Sequence, residues 1–207
     1  MANLVELGLK HRTDKQKHSF AGFGYMTVYQ KYFNPIRNDV YNVLELGVLN
    51  GSSLRVWRDY FHRAEVWGVD IDPRTKQDYG DRIHVVIGSQ TDHWAIDQVA
   101  PGLNLDIVID DGSHVVDHMV ESFKLLWPRV ASKGFYVIED LETIYADISA
   151  STEKWPGQFY NAETTNYRND AAKLDALFAP MIKALDQGLG DMLFLHRWHQ
   201  QVILCKK

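Results

Sequence analysis

The sequence predicts an α/β protein with a doubly wound, mostly parallel sheet of seven strands that ends in an antiparallel hairpin. Three observations support this prediction. Short apolar runs alternate with amphipathic stretches, and most of these runs are apolar throughout. Both features are typical of parallel strands that helices cover on two faces. Two further runs near the carboxyl end are separated by a very short connection, which permits only antiparallel pairing.

Five apolar runs form the predicted parallel part of the sheet. They cover residues 42–47, 65–70, 83–88, 105–110 and 135–139. Helices are expected over 52–61, 92–99 and 116–130. The sequence Ser132-Lys133-Gly134 is interpreted as the stop of the third helix, because glycine and small polar residues favour turns.

The carboxyl end has a different pattern. Residues 192–198 and 201–205 are the two strands of the predicted hairpin. A parallel sheet that ends in this way is the layout of Rossmann-like class I methyltransferases, whereas most dinucleotide dehydrogenases continue with parallel strands. Residues 144–190 are interpreted as a lid over an acceptor, with a helix near 171–185. No repeat or linker divides the chain, so a single domain over 1–207 is expected.

Charge and composition exclude several classes of partner. The net charge is −5, which argues against nucleic acid or an anionic membrane surface as the main partner. Cys205 is the single cysteine, so no internal disulfide can form. The first residues lack the pattern of a signal peptide, and no apolar run approaches the roughly 20 residues of a membrane helix. A cytoplasmic protein is expected.

The loop after the first strand predicts a cofactor site. Gly47 permits a sharp turn and a close approach to a ligand, and Gly51 frees the turn into the helix. A dinucleotide fingerprint needs two further glycines, but Leu49 and Ser52 stand in their places. The loop therefore favours a cofactor without phosphates, and Asp70 is placed to accept hydrogen bonds from its ribose. A nicotinamide-dependent reductase, or a turn without a ligand, stays an alternative.

Two pairs of acids end neighbouring strands. Asp110 and Asp111 follow the fourth strand, and Glu139 and Asp140 follow the fifth. Parallel neighbours lie about 4.8 Å apart and end at the same edge, so these side chains are expected to converge. Oxygen ligands in such a cluster suit Mg²⁺ or a similar hard cation. The alternative is that some of these acids cap helices or face solvent.

His114 follows Asp111 by three residues, on the same turn. Its side chain has an unperturbed pKa near 6.5, so it can act as a base at neutral pH. His118 comes one helical turn later, where a surface role is the simpler interpretation.

The combined motifs resemble a known family. Asp110-Asp111-Gly112-Ser113-His114, Ser122-Phe123, Tyr136-Val137-Ile138-Glu139-Asp140 and Thr13-Asp14-Lys15 are similar to the metal-dependent sugar O-methyltransferases of macrolide biosynthesis and their tetracenomycin-type relatives. The resemblance runs from about Thr13 to Tyr145. Residues from Ala146 onward match poorly, which leaves the acceptor open.

This resemblance implies transfer of a methyl group from S-adenosylmethionine (SAM) to a hydroxyl of a sugar or glycosylated small molecule. It implies metal ligation by Asp111, Glu139 and Asp140, with His114 as the proton acceptor. Residues 1–35 are expected to cover the cofactor. The implied SAM contacts are Thr13, Lys15, Tyr25, Glu45, Gly47, Asn50, Gly51, Ser52, Asp70, Ser89, Gln90 and Asp110.

Several points stay open at this level. A methyltransferase for a non-sugar small molecule and a SAM-binding accessory domain without catalysis are the alternatives. A homo-oligomer is expected by analogy with such enzymes. Four aromatic residues are candidates for the walls of the acceptor site, although they could equally pack a lid onto the body. They are Tyr145, Trp155, Tyr160 and Tyr167.

Overall fold

The computed structural model describes residues 2–16, 19–20, 23–145 and 170–207. Most of the predicted lid over 144–190 lies outside these residues, and so do Trp155, Tyr160 and Tyr167. Tyr145 is described and is exposed. Among the described residues, no helix has both the length and the apolar character needed to cross a bilayer.

Two helices form the amino-terminal segment. Helix α1 spans Leu4–His11, and helix α2 spans Tyr25–Phe33. Between them lie a 3-10 turn at Asp14–Gln16 and two paired two-residue strands, β1 (Ser19–Phe20) and β2 (Phe23–Gly24). Helix α1 packs against α2 and also against α3 (Ser52–Tyr60), so this segment lies on the main body of the fold.

The main sheet has seven strands in the order β5-β4-β3-β6-β7-β9-β8. The strands are β3 (Asn42–Leu46), β4 (Glu65–Asp70), β5 (Ile83–Ile87), β6 (Leu105–Asp110), β7 (Val130–Ile138), β8 (Met192–Trp198) and β9 (Gln201–Lys206). The first five are parallel, and the last two add antiparallel pairs. The predicted fold class is confirmed. The strand order reverses between β3 and β6, where such sheets open their ligand cleft.

Helices cover both faces of the sheet and create two apolar clusters. The remaining helices are α4 (His93–Asp97), α5 (Val116–Leu126) and α6 (Ala171–Asp186). Val43 points into the cluster with α2 and α3, and the next residue, Leu44, points into the cluster with α4, α5 and α6. Both residues are fully buried. The strand runs are apolar throughout because each face of the sheet is core.

The end of α5 differs from the prediction. The helix ends at Leu126, followed by a 3-10 turn over Trp127–Arg129, and β7 already begins at Val130. Pro128 has no N–H to continue the helical hydrogen bonds. The segment Ser132-Lys133-Gly134 therefore lies inside β7, so the predicted helix stop at these residues was wrong.

Candidate active site

The carboxyl ends of three neighbouring strands bring the acids together. Leu46 of β3 pairs with Asp110 of β6, which pairs with Ile138 of β7. The backbone continues this alignment by one residue, because Asp111 N donates to Leu46 O at 3.0 Å and Glu139 N donates to Asp110 O at 3.0 Å. The acids therefore lie side by side at the edge where the sequence places them.

A buried lysine lies at the centre of these acids. Lys15 Nζ contacts Asp111 Oδ2, lies 2.6 Å from Glu139 Oε2 and lies 3.0 Å from Glu45 Oε1. Its side chain is only 2% exposed. Burial by itself lowers the pKa of Lys15, but the three carboxylates outweigh it and hold the pKa well above its usual value. Lys15 is therefore a charged ammonium.

The segment from residues 1–35 contributes two tyrosines as well. Tyr29 OH donates to Glu139 Oε1, and Tyr25 OH donates to Asp140 Oδ1 at 2.7 Å. The tyrosines are four residues apart in α2, so they share one face of the helix. Burial, together with these carboxylates, raises the pKa of both phenols and keeps them as donors.

A tryptophan from α3 completes the buried contacts of Glu45. Trp57 Nε1 donates to Glu45 Oε2 at 2.9 Å, and both side chains are fully buried. Glu45 is thus bonded to Trp57 on one oxygen and paired with Lys15 on the other. In this structure both oxygens of its carboxylate contact side chains of the protein. The SAM contact implied for Glu45 stays a prediction.

A second group, the open group, consists of two acids and a histidine and is more exposed to solvent. Asp111, His114 and Asp140 have potential ligand atoms that all lie within 4.8 Å of one another. His114 Nε2 is 3.6 Å from Asp140 Oδ2. The side chains of Asp111, His114 and Asp140 are 22%, 19% and 18% exposed, whereas that of Glu139 is 1% exposed. Of the three predicted metal ligands, Asp111 and Asp140 therefore belong to the open group. The third, Glu139, is buried beside Lys15 and Tyr29.

Backbone strain accompanies the open group. His114 has φ 57° and Asp140 has φ 53°, both in the left-handed region that disfavours side chains with a Cβ. Such residues cost on the order of 1–3 kcal/mol each and persist where surrounding structure holds them. Six other non-glycine residues among the described ones also have positive φ, so this conformation positions the two side chains but does not by itself indicate function.

The site contains more negative than positive charge. Burial raises the pKa of Asp111 to about 6, against the opposing charge of Lys15 and with the support of Asp140. Burial also raises the pKa of Glu139 well above its usual value. Each raised pKa means that the charged form of the carboxyl group is disfavoured by burial and by the neighbouring acids, and a further cation would offset that cost.

Gln90 fixes the turn that carries His114. Its Oε1 accepts from Ser113 N at 2.7 Å, and its Nε2 donates to Ser122 Oγ at 2.8 Å and to Asp110 Oδ1 at 3.1 Å. A Cβ on Gly112 would lie 2.2 Å from this Oε1, so a larger residue there would displace the Gln90 amide from these hydrogen bonds. Both amide atoms of Gln90 are used inside the protein. A contact between Gln90 and a cofactor stays a prediction.

Asp110 belongs to the same network. It is 1% exposed, and Tyr136 OH donates to its Oδ2 at 3.3 Å. Burial raises the pKa of Asp110 to about 7, against the opposing charge of His114. The SAM contact implied for Asp110 stays a prediction.

The glycine loop packs directly on the end of β6. Gly47 has φ +88°, and a Cβ there would lie 2.0 Å from Asp111 O. Asp70 Oδ2 accepts from Val48 N at 2.8 Å and from Leu49 N at 3.1 Å. The acid expected to bind a ribose therefore also holds the loop in its present shape.

The other predicted cofactor residues are spread around this loop. Asn50 is exposed and accepts from Ser52 N at 3.0 Å, and Gly51 begins α3 with φ +70°. Ser89 is half-buried after β5, and Thr13 is buried after α1. Their roles stay predictions.

Comparison with known proteins identifies the domain. Residues 44–141 match the sequence profile of a methyltransferase domain family. The chain is 38% identical over 150 residues to the 8-demethyl-8-alpha-L-rhamnosyl tetracenomycin-C 2'-O-methyltransferase of Streptomyces olivaceus, covering 69% of this chain and 38% of that protein. It is 39% identical over 137 residues to the mycinamicin VI 2''-O-methyltransferase of Micromonospora griseorubida, covering 62% of this chain and 32% of that protein. The chain thus spans less than two fifths of the length of these relatives.

A solved structure matches nearly the whole chain. It is the MycE methyltransferase of the mycinamycin biosynthetic pathway in complex with Mg, SAH and mycinamycin VI. The TM-score is 0.74 at 32% identity, with 99% of this chain and 54% of that chain covered. The chain therefore has the class I methyltransferase fold, matches a methyltransferase domain over residues 44–141 and is similar to sugar O-methyltransferases of natural-product pathways.

Proposed function

We propose that this chain is the catalytic unit of a metal-dependent, SAM-dependent O-methyltransferase that modifies a hydroxyl of a sugar or glycosylated small molecule. The observation that carries the proposal is the open group of Asp111, His114 and Asp140, within 4.8 Å of one another beside the glycine loop. The names of the relatives, which act on glycosylated natural products, support the acceptor class.

The residues present fit a divalent cation. Asp111 and Asp140 offer oxygen ligands from adjacent strand ends, and their ligand atoms lie within 4.8 Å of each other and of His114. Glu139 is the proposed third ligand, although Lys15 and Tyr29 engage its oxygens in this structure. When bound, a cation such as Mg²⁺ would lower the pKa of an acceptor hydroxyl and orient it.

His114 is the proposed proton acceptor. Its Nε2 lies 3.6 Å from Asp140 Oδ2, so the ring stands beside the proposed metal ligands. The left-handed backbone at His114, held through Ser113 and Gln90, keeps the ring beside the acids. The chain contributes mainly positioning and charge to this reaction.

SAM, when bound, supplies the methyl group. We propose that the Gly47–Ser52 loop, Asp70 and the residues after β5 hold it, since a loop without the dinucleotide fingerprint suits a cofactor that lacks phosphates. We propose that residues 1–207 work as one unit, with 1–35 and 144–190 covering the cleft. The cytoplasmic location, the homo-oligomer and the absence of nucleic-acid and membrane partners stay predictions.

The test is a methyl-transfer assay with labelled SAM and a set of glycosylated acceptors. We expect transfer that EDTA stops and Mg²⁺ restores. Full activity of the metal-free protein would contradict the metal assignment. Transfer to aglycones alone would favour a non-sugar acceptor, and SAM binding without any transfer would favour an accessory domain. Binding of NADH instead of SAM would favour a reductase.

A further inference from the structure

The ammonium of Lys15 shares its carboxylates with the proposed metal site. Asp111 contacts Lys15 through Oδ2 and also belongs to the open group with His114 and Asp140. Glu139, the proposed third ligand, lies 2.6 Å from the same ammonium. Two of the three proposed metal ligands are therefore already paired with a cation that the chain itself supplies.

Lys15 is firmly placed in this position. Its side chain is 2% exposed, and it follows α1, whose backbone bond from Thr13 N to Gly8 O at 3.1 Å fixes the turn into the 3-10 segment. Glu45 adds a third carboxylate at 3.0 Å. A buried ammonium with three ion pairs is costly to remove, because the acids it leaves behind would repel one another.

We propose that Lys15 is an internal counter-cation that weakens the binding of the divalent cation by competing with it electrostatically for Asp111 and Glu139. This inference rests on the proposed function. Lys15 neutralises part of the carboxylate charge, so the site folds without metal. The same positive charge repels a divalent cation held by the shared carboxylates, and this repulsion is strong in a partly buried site. Lys15 thus sets metal affinity below the value that the acids alone would give.

Two other roles for Lys15 make different predictions. If Lys15 binds SAM, as the family resemblance implies, its removal would weaken SAM binding and leave metal binding unchanged. If Lys15 only holds the acids in place, its removal would weaken metal binding. Competition alone predicts tighter metal binding when the ammonium is removed.

The experiment is a calorimetric titration of Mg²⁺ into the full chain and its Lys15→Met variant, which keeps a long apolar side chain without the charge. We expect Mg²⁺ to bind at least about tenfold more tightly to the variant, with the affinity for SAH changed less than about twofold. We also expect Mg²⁺ to raise the melting temperature of the variant more than that of the wild type.

The matched control is Lys10→Met. Lys10 is on α1, with a side chain that is 62% exposed and an ion pair to Asp59 at 2.7 Å. This variant removes the same charge from the same segment, and its Mg²⁺ affinity should equal that of the wild type.

A double variant keeps the inference testable if Lys15→Met folds poorly. Lys15→Met combined with Glu45→Gln removes one positive and one negative charge and leaves all three proposed metal ligands intact. We expect a melting temperature above that of Lys15→Met and a Mg²⁺ affinity at least about tenfold tighter than that of Glu45→Gln alone. An affinity equal to or weaker than that of Glu45→Gln would overturn the inference.

The outcomes separate this inference from the proposed function. If the wild type binds Mg²⁺ and Lys15→Met binds it with equal or lower affinity, the inference is wrong and the metal site stands. If the wild type binds no divalent cation, the metal site and the inference both fall.

Discussion

The carboxylate cluster has two halves, which differ in whether donors from the protein already bond the carboxylate oxygens. Glu45 and Glu139 are buried, and their oxygens meet Lys15, Trp57 and Tyr29. Asp111, His114 and Asp140 are about one fifth exposed, and two of them have strained backbone. The buried half stabilises the fold with the protein's own donors. The open half keeps two carboxyl groups and an imidazole accessible at the sheet edge, which is the arrangement expected where an external ligand binds.

The largest effect is expected at His114. His114→Ala should reduce turnover by about 10²–10⁴-fold, the usual contribution of general base catalysis, and leave SAM affinity nearly unchanged. Steady-state kinetics and SAM titration measure the two quantities. His84→Ala, on the exposed edge strand β5, is the control and should retain full turnover. Equal losses of turnover and SAM affinity would remove His114 from the role of base.

The next effect tests the hydrogen bonds by which Gln90 holds the turn before His114. Gln90→Leu removes the acceptor for Ser113 N and the donor to Asp110, so the turn before His114 loses its support. We expect turnover to fall roughly 10–100-fold with SAH affinity unchanged, since small displacements of catalytic groups are costly. Gln98→Leu, at an exposed position after α4, serves as the control. A loss confined to SAH affinity would instead make Gln90 a cofactor contact.

The two tyrosines of α2 compare the halves directly. Tyr29→Phe leaves a buried oxygen of Glu139 without its donor, so it should lower the free energy of unfolding by about 1–3 kcal/mol. Tyr25→Phe removes a donor from Asp140 at the open half, so it should change Mg²⁺ affinity more than stability. Urea unfolding and calorimetry measure these effects, with the exposed Tyr41→Phe as reference. A larger loss of stability in Tyr25→Phe, with a larger change of Mg²⁺ affinity in Tyr29→Phe, would contradict the division into two halves.

The smallest effect concerns the attachment of the amino-terminal segment. Asp59 on α3 contacts Lys10 and His11 of α1. Burial opposes ionisation, but these partners and Arg58 hold the pKa of Asp59 below its usual range. A lowered pKa in the folded state stabilises the protein above the unfolded value near 4, and this contribution is lost as pH falls below it.

Asp59→Asn should therefore lower stability at neutral pH by less than about 1 kcal/mol, because the group is partly exposed. The difference between wild type and variant should shrink toward pH 3. Urea unfolding at pH 7 and pH 3 measures it. A difference that grows toward pH 3 would contradict the assignment.

The sequence was sufficient to predict the sheet, because strands buried on both faces are apolar at every position, as Val43 and Leu44 illustrate. Helix α1 was not predicted, although Asn3 and Glu6 form a capping box that is visible in the sequence. The end of α5 was placed too late, because Ser132-Lys133-Gly134 was taken as the helix stop although Pro128, which cannot continue a helix, precedes it.

The candidate site was predictable in part. Because β6 and β7 are parallel neighbours, their carboxyl ends place Asp111 beside Glu139. The position of Lys15 was not predictable from spacing, because its contact with Asp111 joins residues 96 apart through the packing of the amino-terminal helices. The bond from Trp57 to Glu45 depends in the same way on how α3 packs against the sheet.

The central claim is that the open half holds a divalent cation. Calorimetric titration of Mg²⁺ into the wild type and Asp111→Asn tests it most directly. The account predicts binding at one site in the wild type and its loss, by about 100-fold in affinity, in Asp111→Asn, since even residues that only support a metal ligand contribute about 10–100-fold. Undiminished Mg²⁺ binding by Asp111→Asn would contradict it.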